Sequence, residues 1–189
     1  MILPAFYLLL TYLLASLPTG LMLSAVLADA DPREDGSGNI GATNVYRLLG
    51  RRLGIATFIG DLLKGMVPVA LAGAVLDTPW FAGATAIAAF TGHCWSAYID
   101  FRGGKGVATA AGGLLVLVPL VILACIGVWT LLVRLTKKSS LGSLCAAILM
   151  PTLVYLQRPE LLWVAIMITG GVLLRHQSNI SRLLAGTER

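Results

Sequence analysis

The sequence predicts an all-α polytopic membrane protein with a compact bundle of seven transmembrane helices, and three observations carry this prediction. Only 12% of the 189 residues are charged and 57% are hydrophobic, whereas soluble domains carry about 25% charged residues. The mean hydropathy is +0.85. Two long stretches, 1–28 and 106–133, contain no charged residue, and runs of more than about 18 apolar residues are typical of membrane-spanning helices.

The uncharged stretches place the spans in chain order. They are residues 3–28, 55–76, 80–99, 141–157 and 159–174, with a longer stretch at 103–135. The first has no basic residue before it and is too long for a signal peptide, so we expect a retained helix. The stretch 103–135 would extend about 50 Å as one helix, against a hydrocarbon core of about 30 Å. Broken near Pro119, it would give two short helices of about 24 Å each, and length alone leaves both alternatives open.

The distribution of basic residues decides the number of spans. With seven, the N-terminus lies outside, the C-terminus is cytoplasmic, and the outer loops hold a single basic residue, Arg158. With six, the basic segment 134–138 and the C-terminal tail would both lie outside. Short loops rich in Lys and Arg stay cytoplasmic, so the sequence favours seven spans in one domain, 1–189. The net charge of +5 reflects the same bias and does not indicate nucleic-acid binding.

Three polar segments share the predicted cytoplasmic face, which indicates one site there. The first is GSGNIGATN, residues 36–44, followed by Arg47. Its glycines let backbone amides approach an anion closely, and the planar guanidinium suits phosphate. A solvated loop with helix caps is the alternative, but it does not explain so many small polar side chains ahead of an arginine. The candidate ligand contacts are Ser37, Asn39, Asn44 and Arg47.

The second segment is GHCWSAYIDFRGGKGVAT, residues 92–109. Gly103, Gly104 and Gly106 surround Lys105 at the start of an apolar helix, which indicates a phosphate cradle at a helix N-terminus. It is not a P-loop, because Gly106 stands where Ser or Thr should follow the lysine. A basic turn that anchors a helix end is the alternative.

The third segment is RHQSNISRLLAGTER, residues 175–189. His176, Asn179 and Arg182 are three residues apart, so they share one face of a helix. On spacing alone, an interfacial amphipathic helix with basic anchors explains this pattern equally well.

Polar side chains also occur inside two predicted spans. His93 could be a packing residue, but polar groups at membrane depth are costly, which favours a role in the site. Asp61 and Lys64 could simply neutralise each other. Alternatively, Lys64 lies near an anionic ligand and Asp61 orients its neighbours.

With these segments assembled, the chain resembles the bacterial acyl-phosphate-dependent glycerol-3-phosphate acyltransferases over nearly its whole length. The resemblance rests on SGNIGATN with Arg47, GHCWSAYIDFRGGKGVAT and HQSNISRLLAGTE in this order. It implies a seven-helix enzyme of the bacterial cytoplasmic (inner) membrane, whose active site faces the cytoplasm and uses no metal or cofactor. The implied substrates are acyl phosphate and glycerol 3-phosphate, and the implied product of sn-1 acylation is lysophosphatidic acid. This reaction would be the first step of phospholipid synthesis. Membrane lipids and the upstream enzyme that forms acyl phosphate are the implied partners.

The resemblance also assigns residues by motif. Those implied to engage glycerol 3-phosphate or the catalytic centre are Ser37, Arg47, Lys105, His176 and Asn179. Those implied to accommodate the acyl phosphate are Gly103, Gly104 and Gly106. Further substrate contacts are implied for Asn39, Asn44, Lys64 and His93.

The sequence leaves the mechanism and two rival functions open. An acyl phosphate is already activated, so orienting it against the hydroxyl suffices. Either His93 or His176 could act as the base, given an unperturbed pKa near 6.5, or the donor phosphate could take the proton. The apolar spans would supply the groove for the acyl chain. A transporter of small phosphorylated anions is the main rival, since interrupted helices with Gly-rich ends would suit it, and a scaffold with merely anchoring charges is a second.

Overall fold

The computed structural model describes residues 2–188, and this part of the chain contains helices and no β-strand. The prediction of an all-helical fold is therefore confirmed for these residues. The helices are α1 (Ile2–Ala15), α2 (Thr19–Ala28), α3 (Ala42–Leu49), α4 (Arg51–Leu71), α5 (Pro79–Cys94), α6 (Val107–Leu117), α7 (Pro119–Thr136), α8 (Ser139–Gln157), α9 (Leu162–Arg175) and α10 (Gln177–Leu184), with 3₁₀ turns at Ala72–Ala74 and Pro159–Leu161.

Several of these helices have the length and apolarity needed to cross a bilayer. Within residues 2–188, four segments meet both criteria, namely Ile2–Ala28, Arg51–Ala74, Pro119–Thr136 and Ser139–Gln157. A fifth is obtained if α9 and α10, which are bent by 62° at their junction, count as one span. At 16 and 11 residues, α5 and α6 are shorter than a typical span. Seven spans and the orientation of the termini therefore stay predictions.

Two breaks shape the bundle, and only one was expected. The stretch 103–135 is divided between Leu117 and Pro119, as one of the two alternatives required, because proline has no N–H to continue a helix and is well suited to starting one. The predicted span 3–28 is also interrupted, at residues 16–18 before α2. The ammonium of Lys64 donates to the Leu17 carbonyl in this break at 2.9 Å, which satisfies a backbone acceptor that lipid could not.

Close helix packing fixes α6 against α4. A side chain at Gly65 on α4 would overlap the backbone of Thr109, and one at Gly112 on α6 would overlap the carbonyl of Leu62. Small residues of this kind let two membrane helices approach backbone to backbone. The start of α6, and with it the preceding residues 103–106, therefore has a defined position over the middle of α4.

The hydrophobic core lies among α5, α6, α8 and α9, where Phe90, Leu114 and Ile168 are almost completely buried. Large apolar side chains on the outer surface stay exposed, such as Leu120 and Leu135 on α7. In a bilayer, lipid tails cover such side chains at no hydrophobic cost. The exposed apolar surface is thus what an integral membrane protein requires.

Candidate active site

Asn44, in the first turn of α3, gives the loop at residues 32–41 its shape. Its side chain is buried, with Oδ1 accepting from the Ser37 N–H at 2.9 Å and Nδ2 donating to the carbonyls of Pro32 at 2.8 Å and Asp35 at 3.3 Å. Gly36 has φ +64°, and a side chain there would overlap the Asn44 carboxamide. The carboxamide of this predicted substrate contact is therefore engaged by its own loop, which it orders so that Ser37 is exposed beside α3.

The glycine loop, defined here as residues 103–106, packs directly on α5. The Gly104 N–H donates to the His93 carbonyl at 3.0 Å. A side chain at Gly104 would overlap the His93 imidazole, and one at Gly106, where φ is +77°, would overlap the Phe90 ring. Glycine is required here because no other residue fits both the close contacts and the left-handed backbone.

Arg175, the last residue of α9, covers the other side of the glycine loop. Its Nη2 donates to the Gly103 carbonyl at 2.6 Å and its Nε to the Gly104 carbonyl at 3.0 Å. Its guanidinium carbon lies 5.7 Å from the centre of the Trp95 ring. In the sequence this arginine is only the first residue of the third polar segment, and no spacing points to its backbone partners.

The three polar segments meet in one pocket, as the sequence predicted. Its volume is about 290 Å³, and it contains side chains from the loop before α3, from the glycine loop and from the α9–α10 junction. The lining residues are Ser37, Asn39, Lys105, Leu174, Arg175, Gln177, Ser178 and Arg182. Residues that lie more than 130 positions apart in the sequence thus form a single concave polar site.

The pocket concentrates positive charge around Lys105. The pKa of this ammonium is lowered to about 8, chiefly by burial and also by the cationic side chains of Arg182, Arg47 and Arg175, against the opposing effect of Glu188. Within residues 2–188, no carboxylate lies at ion-pair distance from Lys105. A partly buried cluster of like charges is unfavourable by itself and favours the binding of an anion.

Glu188 joins the site from the C-terminal tail and was not among the predicted residues. Its carboxylate accepts from Ser140 Oγ at 2.5 Å, from Asn179 Nδ2 at 2.7 Å and from Arg182 Nε at 2.7 Å. Burial raises the pKa of Glu188, but these hydrogen bonds outweigh it and the pKa is lowered. The carboxylate therefore stays ionised and fixes Asn179 and Arg182 on α10.

His176, at the junction of α9 and α10, carries a neutral imidazole. Its Nδ1 lies 2.8 Å from the Val172 carbonyl, which can only accept, so the proton is on Nδ1 and the lone pair is on Nε2. Burial lowers the pKa of this imidazole to about 4. The ring is therefore in the basic form across the neutral pH range.

Asp61, Lys64 and His93 form a separate cluster beneath the glycine loop. The Asp61 carboxylate lies 3.0 Å from the Lys64 ammonium and 3.5 Å from His93 Nδ1. Neither Lys64 nor His93 is among the described residues that line the polar pocket. Their predicted contact with substrate stays a prediction, and the contacts observed are with Leu17 in the break before α2, with Asp61 on α4 and with the glycine loop.

An apolar groove of about 420 Å³ lies between α5 and α9, with Phe90, Trp95, Ile168 and Gly171 among its lining residues. Trp95 borders the groove, whereas Arg175, which packs over its ring, lines the polar pocket. One contacting pair thus joins a residue that lines the groove to a residue that lines the pocket. A pocket of this charge next to such a groove suits a molecule with an anionic head and a hydrocarbon chain, so the fold and site define a membrane protein that handles amphiphilic anions.

Comparisons with known proteins identify the family. Residues 5–186 match the family described as glycerol-3-phosphate acyltransferase. The chain is 49% identical over 189 residues to the glycerol-3-phosphate acyltransferase of Syntrophotalea carbinolica, covering 97% of this chain and 96% of that protein. It is also similar to two crystal structures of PlsY, an integral membrane glycerol 3-phosphate acyltransferase. The glycerol 3-phosphate form matches with a TM-score of 0.93 and 35% identity, and the lysophosphatidic acid form with a TM-score of 0.91 and 34% identity. Each match covers 98% of this chain and 94% of the PlsY chain. The chain belongs to the glycerol-3-phosphate acyltransferase family and is an integral membrane enzyme of phospholipid synthesis.

Proposed function

We propose that this acyltransferase takes its acyl group from acyl phosphate and transfers it to the sn-1 hydroxyl of glycerol 3-phosphate, releasing lysophosphatidic acid and inorganic phosphate. The observation that carries this proposal is the cationic pocket that adjoins an apolar groove at Trp95 and Arg175. Both substrates bear a phosphate, and the donor also bears a long hydrocarbon chain. The pocket supplies charge for the phosphates, and the groove supplies apolar surface for the chain.

The chemistry requires orientation more than a nucleophile from the enzyme. The sn-1 oxygen attacks the carbonyl carbon of the mixed anhydride, the bond from that carbon to the phosphate oxygen breaks, and phosphate leaves with the bonding electrons. Lys105, with Arg47 close enough to influence its charge, stabilises the negative charge that develops on the departing phosphate. Ser37 and Asn39, which line the same pocket, provide hydrogen bonds that hold glycerol 3-phosphate.

The proton of the attacking hydroxyl has three candidate acceptors. His176 has its Nε2 lone pair available because Nδ1–H is bound to the Val172 carbonyl. His93 is more deeply enclosed, between Asp61 and Gly104. The donor phosphate is the third candidate, and in that case catalysis is assisted by the substrate. The carboxamide of Asn179, fixed by Glu188, is a hydrogen-bond partner for the reacting groups in each case.

We further propose that this single domain, 1–189, crosses the bacterial inner membrane seven times, with the N-terminus outside and the pocket at the cytoplasmic face. Seven spans are obtained when the short helices α5, α6 and α9 are added to the four segments that are long and apolar enough to cross a bilayer. The hydrogen bond from Ser140 to Glu188 brings the basic α7–α8 connection to the same end of the bundle as the pocket. That connection holds Lys137 and Lys138, as the positive-inside rule expects of a cytoplasmic turn.

Purified protein in detergent micelles tests the proposed donor directly. We expect lysophosphatidic acid and equimolar inorganic phosphate from acyl phosphate and glycerol 3-phosphate, and no product from acyl-CoA. Product formation without any vesicle also excludes the transporter interpretation, which the family assignment already disfavours. Turnover of acyl-CoA with none of acyl phosphate would overturn the proposal.

A further inference from the structure

The glycine loop is held by His93 at the end of α5 and by Arg175 at the end of α9, and these two residues bind different backbone groups. Beneath it, the His93 carbonyl accepts from the Gly104 N–H at 3.0 Å, and the His93 ring packs against the same residue. Above it, one guanidinium donates to the carbonyls of Gly103 and Gly104 at 2.6 and 3.0 Å. The backbone immediately before Lys105 therefore has little freedom to shift.

The two carbonyl groups bound by Arg175 belong to the two residues that precede Lys105, and Arg175 and Lys105 both line the polar pocket. Carbonyl oxygens are acceptors with partial negative charge, so left uncovered they would repel an incoming phosphate. Two hydrogen bonds from a cation remove that repulsion, and they are stronger than bonds between neutral groups. The same guanidinium lies over Trp95, a residue of the apolar groove.

We infer that Arg175 is a positioning residue for the acyl phosphate: it fixes the glycine loop and covers its carbonyls, so that the phosphate of the donor binds at Lys105 while its chain enters the groove beside Trp95. This inference rests on the proposed use of acyl phosphate as donor. It assigns Arg175 to the donor, whereas the loop before α3, with Ser37 and Asn39, serves glycerol 3-phosphate.

Lysine cannot replace this arginine. An ammonium is a compact point charge without a planar fork, so it cannot bridge two adjacent carbonyls and stack on an indole at the same time. Arg175→Lys therefore keeps the charge of the pocket and removes the geometry. Arg175→Gln removes the charge as well.

The test compares Arg175→Lys and Arg175→Gln with the unaltered enzyme and with Arg134→Gln, a matched loss of an exposed arginine at the end of α7. We expect the KM for acyl phosphate to rise about ten- to a hundredfold in both Arg175 variants, with the KM for glycerol 3-phosphate almost unchanged. Arg134→Gln should leave both constants unchanged. If Arg175→Gln fails to fold, Arg175→Lys carries the test.

Hydrogen exchange of the backbone amides at residues 102–107 provides a second readout that does not depend on the donor. In Arg175→Lys the backbone amides of this segment should exchange faster than in the unaltered protein, while the exchange rates of the amides in α4 stay unchanged. Wild-type kinetics and exchange in Arg175→Lys, or an equal rise of both KM values, would overturn the inference. Turnover of acyl-CoA instead of acyl phosphate by the unaltered enzyme would overturn the proposed donor, and the exchange experiment would still decide whether Arg175 holds the loop.

Discussion

Two groups of charged residues border the glycine loop, and they differ in how their charges are compensated. Beneath the loop, the Asp61 carboxylate binds the Lys64 ammonium at 3.0 Å and lies close to His93. Above it, the polar pocket holds Lys105, Arg175 and Arg182. Among these three, in the part of the chain that the structure describes, only Arg182 is paired with a carboxylate, that of Glu188.

This difference distinguishes charged residues that support the fold from charged residues that bind a ligand. A buried ion pair is costly to form and strongly destabilising when one partner is removed, because the other charge is left unpaired. An excess of one sign in an open cleft instead attracts a ligand of the opposite sign. We therefore interpret the Asp61 cluster as support for the loop and the polar pocket as the place where the phosphates bind.

The largest expected effect is on stability, from the lower group. Asp61→Asn leaves the Lys64 ammonium buried without a counter-charge, so we expect a loss of about 3–5 kcal/mol in the free energy of unfolding. Thermal unfolding in detergent, followed by circular dichroism, measures it. A variant with unchanged stability would show that the pair does not support the fold.

The matched control is the double variant Asp61→Asn with Lys64→Met, which removes both charges together. Most of the stability should return, with the KM for glycerol 3-phosphate near that of the unaltered enzyme. A stable double variant with a strongly raised KM would instead place Lys64 in contact with substrate, as the sequence predicted.

The second effect is on catalysis, from the upper group. Lys105→Ala removes the cation at the centre of the pocket, and we expect kcat/KM to fall on the order of 10²–10³-fold with stability nearly unchanged. Steady-state phosphate release measures it, with Arg134→Ala as the control outside the pocket. Activity within a few fold of the unaltered enzyme would show that Lys105 is not the cation that stabilises the departing phosphate.

The smallest effect is a pH dependence. Because the pKa of Lys105 is lowered to about 8, this side chain is cationic below that pH and loses its charge as the pH rises through it. We expect kcat/KM to fall above about pH 8 and the fall to move to higher pH in Lys105→Arg, whose guanidinium stays charged. An identical alkaline limb in both enzymes would assign it to another group.

The apolar spans and the convergence of polar segments were readable from the sequence, because charge-free length and basic loops follow directly from composition. The break near Pro119 was one of two stated alternatives, and the structure contains it. The pocket contains Ser37, Asn39 and Lys105, as expected from three polar segments on one face. The sequence did not predict the break at residues 16–18, because uncharged residues continue on both sides of it.

The residues that sequence reasoning missed are those whose partners are distant or belong to the backbone. Arg175 binds two carbonyls that lie 71 and 72 residues earlier in the chain, and a carbonyl leaves no trace in a sequence. Glu188 binds Ser140, which is 48 residues away. The predicted contact of Asn44 with substrate stays a prediction, and its side chain binds three backbone groups of its own loop.

By itself, the sequence determined that this chain lives in a membrane and carries its polar chemistry in three segments, because hydropathy and residue type are local properties. Only the tertiary structure decided which charges neutralise one another and which line an open pocket. That distinction depends on distances between segments, as in the position of His93 on α5 beside Asp61 on α4 and in the binding of the glycine carbonyls by Arg175. Residue type alone makes Lys64 and Lys105 equal candidates for phosphate, and their surroundings make them different.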